Sequence, residues 1–104
     1  MNASSKKKLS QYERLAGTLR DRIAAGIYAR GDKLPSEMEL MDESGLSRST
    51  VRHALKVLVD EGLVRTERTA GRYVTEDRAL IEQLRAEAAR NLTAEFLEKM
   101  RGIG

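Results

Sequence analysis

The chain has 104 residues, 40% hydrophobic and 34% charged, which is room for one hydrophobic core and a short appendage, so a second, ligand-binding domain is not expected within it. The absence of cysteine and the single histidine exclude a disulfide framework, a thiolate metal site and an imidazole cluster within one chain, and no apolar run has the length of a signal-peptide core or a membrane span. The net charge of +3 is unevenly placed: residues 1–75 hold fourteen Lys or Arg against ten Asp or Glu, and residues 76–104 hold five against six. A cytoplasmic protein with no membrane partner is expected, its front part suited either to a polyanion or to plain solvation.

Residues 1–9, with Lys6, Lys7 and Lys8, lack an apolar period and read as a flexible basic tail, either a solubilising end or a DNA-binding arm. Ser10 and Glu13 form a capping-box pattern that predicts a helix with a buried stripe of Tyr12, Leu15, Ala16, Leu19 and Ile23, closed near Gly26. Gly31-Asp32 turns the chain, and Lys33-Leu34 suits a very short strand. Ser36 and Glu39 repeat the capping box after the only proline, so a second helix is predicted over Glu37 to Ser44, ended by Gly45. Leu46 is the expected buried turn residue, and Ser47 the N-cap of a third helix.

From Ser47 to Glu61 the residues Val51, Ala54, Leu55, Leu58 and Val59 keep the spacing of one buried helical face. The opposite face carries Arg48, Ser49, Arg52, His53 and Lys56 with no acid among them, as suits a helix that enters a DNA groove. After Gly62, two extended runs, Leu63 to Glu67 and Arg72 to Glu76, flank Arg68-Thr69-Ala70-Gly71 and predict a hairpin. The tail then reads as two helices. Leu80, Ile81, Leu84, Ala88 and Leu92 line the first, and Thr93 caps a second that carries Phe96, Leu97, Met100 and Ile103, with Leu92 and Leu97 spaced as a hydrophobic staple. Such a tail needs a surface to bury against. Its own front domain is one candidate and a dimer interface the other; the dimer is expected, because the front module has enough helices to close its own core.

The fold class expected is mostly α with a small β-hairpin wing. Its parts are a basic tail over 1–9, a winged helix-turn-helix DNA-binding domain over 10–76 and a helical dimerisation tail over 77–104. In a helix-turn-helix the first helix props the second so that its N-terminal residues reach base edges in the major groove. Arg48 and Arg52 suit that position, since a guanidinium fork matches guanine O6 and N7 or a phosphate. Ser47 either caps the helix or donates to a phosphate, and Thr50 has the same two uses. Arg65, Arg68 and Arg72 mark the hairpin as a wing, Arg65 with the weakest claim, while Gly71 serves backbone geometry. His53 reads as simply exposed, with a DNA contact as the secondary use. The acid pairs Asp42-Glu43 and Asp60-Glu61 have no nucleophile, metal set or phosphate loop around them, so no enzyme and no cofactor are expected.

These pieces together resemble the winged helix-turn-helix domain of GntR-family bacterial transcription regulators. The resemblance rests on Tyr12 to Ile23 with Gly26, Gly31-Asp32-Lys33-Leu34-Pro35-Ser36-Glu37, Leu46-Ser47-Arg48-Ser49-Thr50-Val51-Arg52 with Ala54-Leu55, Glu61-Gly62-Leu63-Val64, and Gly71 with Tyr73-Val74. It implies DNA contacts at Ser47, Arg48, Ser49, Thr50, Arg52 and the wing glycine Gly71. The sequence departs from the pattern at Met38, where the family usually has a DNA-contacting arginine or lysine, and at Thr69 and Ala70 in the wing. The tail resembles the short YtrA-like branch, whose two helices serve dimerisation. The function implied is a homodimeric regulator, more often a repressor, on a palindromic site in double-stranded DNA. The alternative is a winged-helix module whose basic face meets an acidic protein. No residue set announces a pocket for a small-molecule effector.

Overall fold

The computed structural model describes residues 9–68 and 71–103, with side chains described up to residue 91. Three helices start where short-range capping signals place them. In α1 (Gln11–Ala24) the Ser10 hydroxyl accepts from the Glu13 N–H at 3.3 Å, while Glu13 Oε1 accepts from the Ser10 N–H at 2.9 Å. The same reciprocal pair, Ser36 with Glu39, opens α2 (Glu37–Ser44) at 3.1 and 2.9 Å. Each box satisfies two backbone or hydroxyl donors that a helix end would otherwise leave to water. Ser47 caps α3 (Arg48–Asp60) by accepting from the Thr50 N–H at 3.3 Å. Gly45, at φ +74°, lets α2 stop and α3 start three residues later.

The core is aliphatic and continuous. Leu15, Ala16, Leu19 and Ile23 of α1 face Val51, Ala54, Leu55 and Leu58 of α3, with Leu40 of α2 and Leu34 closing the sides. Full burial of one such leucine or valine stabilises by about 1.5–3 kcal/mol. No charged or polar residue is buried among the described residues.

Strands β1 (Val64–Glu67) and β2 (Gly71–Val74) pair antiparallel, with Val64 opposite Val74, Arg65 opposite Tyr73 and Thr66 opposite Arg72. Both strands are shorter than the sequence predicts. The short strand expected at Lys33-Leu34 is one bridge, Lys33 to Tyr73, supported by bonds from Leu34 N–H to Arg72 O at 2.9 Å and from Val74 N–H to Asp32 O at 2.8 Å. This seam fastens the wing to the segment that leads into α2.

The tail differs from expectation in two respects. It is one helix, α4 (Arg78–Ile103), which passes through Thr93 without the predicted restart. No glycine or proline interrupts residues 78–101, and threonine in a helix interior costs only about 0.7 kcal/mol or less. Its first turns also belong to the front core. Ile81 and Leu84 are buried there, Leu80 and Ala88 pack against it, and Arg85 Nε donates to the Ala24 carbonyl of α1 at 3.1 Å. These four residues of the tail, named above for a dimer interface, thus pack on the protomer's own core, where α4 covers an apolar edge of α1. Leu92, Phe96, Leu97 and Met100 fall outside the described side chains, and residues 1–8, Thr69 and Ala70 outside the described residues.

Candidate nucleic-acid interface

Packing of Val51, Ala54, Leu55 and Leu58 against α1 turns the rest of α3 outward. Arg48, Ser49, Arg52, His53 and Lys56 consequently share one exposed face, as the helical period requires. At its start the hydroxyls of Ser47, Ser49 and Thr50 cluster, with Ser47 Oγ 2.9 Å from Thr50 Oγ1 and 3.3 Å from Ser49 Oγ. This places hydrogen-bonding groups around a helix N-terminus, where unpaired N–H groups and the helix dipole favour an anion.

The wing joins this face through Arg72. In the hairpin, Arg72 and Thr66 lie on the same side as the buried pair Val64 and Val74, whereas Arg65 and Tyr73 alternate to the other side. Arg72 therefore reaches back toward α2 and α3. Arg65 instead lies 5.1 Å from the Tyr73 ring centroid and pairs with Glu67 and Glu76. Arg68 is exposed at the end of β1. Gly71 has φ +96°, and a Cβ there would stand 3.3 Å from the Lys33 side chain, so both its backbone and its bareness are used.

Two contributors escaped the sequence reading. The first is Glu37, the opening residue of α2, which brings an acid to a face expected to have none. Arg52 Nε donates to both Glu37 carboxylate oxygens at 3.0 Å, Arg72 donates to Oε2 at 3.2 Å, and Arg48 Nε stands 3.9 Å from Oε1. Burial pushes the Glu37 carboxyl upward, but the hydrogen bonds and charges of Arg52 and Arg72 hold it below the usual carboxylate range. Three guanidiniums around one carboxylate leave the cluster positive. The only advance signal was the Pro35-Ser36-Glu37 segment, whose glutamate has no local partner at helical spacing.

The second is Tyr12, which was expected only in the buried stripe of α1. Its ring stacks on His53 with centroids 3.6 Å apart and planes 8° from parallel, so His53 is exposed on one side only. Lys56 pairs with Asp60 one turn on at 3.0 Å, an exposed contact of small energetic value. Met38, 56% exposed beside Glu37, presents an apolar side chain at the edge of the basic face. No group of three or more acids or histidines able to hold a metal is present among the described residues.

Two helices joined through a tight turn, a basic face on the second, and a hairpin that extends that face define a winged helix-turn-helix domain. Residues 11–74 match the family described as bacterial regulatory proteins, gntR family, and the chain belongs to that family. It is 42% identical over 67 residues to the mannosyl-D-glycerate transport/metabolism system repressor MngR of Escherichia coli, a match covering 64% of this chain and 28% of that protein. The chain thus spans about a quarter of the length of the curated relatives it matches. Among solved structures it is similar to a GntR family transcriptional regulator from Listeria monocytogenes, at 31% identity and TM-score 0.80 over 95% of this chain and 87% of that one. It is also similar to AraR(DBD) in complex with operator ORR3, at 31% identity and TM-score 0.64, over 67% of this chain and 84% of that one.

Proposed function

We propose that the protein is a sequence-specific DNA-binding transcription regulator that represses from a palindromic operator as a homodimer. The observation that carries this reading is the continuity of the basic face: Arg48 and Arg52 of α3 and Arg72 of the wing converge on one carboxylate. A recognition helix in the major groove thereby acquires a wing arginine over the neighbouring backbone or minor groove. Ser47, Ser49 and Thr50 would meet phosphate at the α3 N-terminus, with His53, Lys56, Arg68 and Gly71 around them. The solved operator complex of AraR(DBD) supports the DNA partner, and the name of MngR supports repression.

The dimer is assigned to the distal part of α4, where Leu92, Phe96, Leu97 and Met100 continue the apolar period after Ala88. The sixteen residues from Ala88 to Ile103 extend about 24 Å at helical rise, enough for a two-helix seam. Two-fold symmetry would set recognition helices about 34 Å apart, or a multiple of that, on successive half-sites.

Selection of duplexes from a random pool by the purified protein, followed by sequencing, tests the reading. An inverted repeat is expected, with log K falling against log salt by about 0.9 for each phosphate contacted. Recovery of no sequence, or binding indifferent to salt, would overturn it. Light scattering is expected to give twice the 11.6 kDa protomer mass.

A further inference from the structure

Glu37 is an oddity for a surface that binds polyanions: an acid in the middle of it, with its side chain 19% exposed and aimed at the arginines that would do the binding. A carboxylate there repels phosphate, so its presence needs a compensating use. The geometry of Arg52 supplies one. A guanidinium has five N–H donors, one on Nε and four on the terminal nitrogens. Arg52 gives only the Nε donor to Glu37, bifurcated between both oxygens at 3.0 Å, and its side chain is 60% exposed. The terminal edge, with the two parallel N–H groups that match guanine O6 and N7, therefore points away from the carboxylate and keeps its donors for another acceptor.

Resting on the DNA-binding reading above, we propose that Glu37 is a positioning residue that sets the sequence specificity of this surface. It does so by two effects. Anchoring Nε restricts a long side chain before binding, so the fork meets a guanine with less rotamer freedom left to lose. The negative charge also offsets part of the attraction that Arg48, Arg52 and Arg72 exert on any phosphate, which lowers affinity for random duplex. The first effect strengthens the correct complex; the second weakens every complex, most of all those held by phosphate contacts alone. Glu37 also holds Arg72 at 3.2 Å, so an arginine of the wing and one of the recognition helix take their side-chain directions from the same carboxylate.

The test uses the duplex selected by the wild-type protein and a random duplex of equal length, at one salt concentration. Glu37→Gln keeps the side-chain volume and removes the charge. Affinity for random duplex is expected to rise, and the ratio of selected to random affinity to fall about tenfold, the scale of one lost bidentate base contact. The lost preference should fall at the G·C positions that Arg52→Ala also relaxes, with no further loss in the double variant. Glu37→Asp, which keeps the charge but withdraws the carboxylate by one methylene, should lose the ratio without gaining random affinity, and it serves if the glutamine variant fails to fold by circular dichroism. An unchanged ratio in the folded variants, or a loss at positions insensitive to Arg52, overturns the role of Glu37. Failure of the wild-type protein to select any duplex is a different result, and it removes the DNA-binding reading together with this one.

Discussion

Arg52 and Glu37 stand 3.0 Å apart and tie the presented helix of the helix-turn-helix to the first residue of the helix that supports it. The contact is largely at the surface, so it adds little to folding. Its consequence is geometric, because it sets the direction in which the terminal nitrogens of Arg52 point.

Arg52→Ala is accordingly expected to separate binding from stability. Affinity for the selected duplex should fall by roughly 1–3 kcal/mol, while unfolding free energy changes by less than about 1 kcal/mol. Fluorescence anisotropy titration and urea unfolding of the same preparation measure the two. Full affinity in the variant would remove Arg52 from the interface.

The stack of Tyr12 on His53 joins α1 to the exposed face of α3. A double-mutant cycle with Tyr12→Ala and His53→Ala should give a coupling of about 0.5–1.5 kcal/mol in unfolding free energy. Additive single effects would show that the rings merely lie side by side.

Leu55 is fully buried between the helices, and Leu84 is buried where α4 meets the core. Leu55→Ala is expected to cost about 2–5 kcal/mol, and Leu84→Ala a smaller but clear amount from the same mechanism. If Leu84 serves its own protomer, the shift it causes in melting temperature should be the same at dilute and at high protein concentration. A shift that disappears on dilution would place Leu84 between protomers instead.

Acid should weaken the fold through three carboxylates. Glu37 is raised by burial but lowered further by Arg52 and Arg72, Glu39 is lowered by the Ser36 backbone and hydroxyl, and Glu43 by its hydrogen bond from Arg22. A carboxyl depressed in the folded state contributes fully above its unfolded pKa, about 4.3 for glutamate. That contribution is lost as pH falls through the lower folded values. Circular dichroism should show stability level from pH 7 to about 5 and declining below about 4.3. Glu43→Gln is expected to flatten part of the decline; an identical acid limb would take Glu43 out of it.

Much of this was legible because it is local. A capping box spans three residues, so Ser10 with Glu13 and Ser36 with Glu39 announced the starts of α1 and α2 directly. The apolar period of α3 announced both its buried side and, by complement, its basic side. Glu37 was invisible as a partner of Arg52 and Arg72 because those side chains lie 15 and 35 residues along the chain from it. Thr93 misled for the converse reason: a residue that favours caps was read as one, although nothing beside it breaks a helix.

The sequence by itself determined the first three helices, their N-caps, the hairpin and the sign of the charge on α3, since each follows from residues within a turn or two of one another. Tertiary structure alone decided which arginine joins the basic face of α3 and which turns to Tyr73, that an acid sits among the arginines, and that the first turns of α4 close the protomer core. Those outcomes depend on how α1, α3 and the hairpin approach one another. Their approach is set by the burial of Leu19, Leu55 and Leu58 in a single core, a property of the assembled elements and of no one segment.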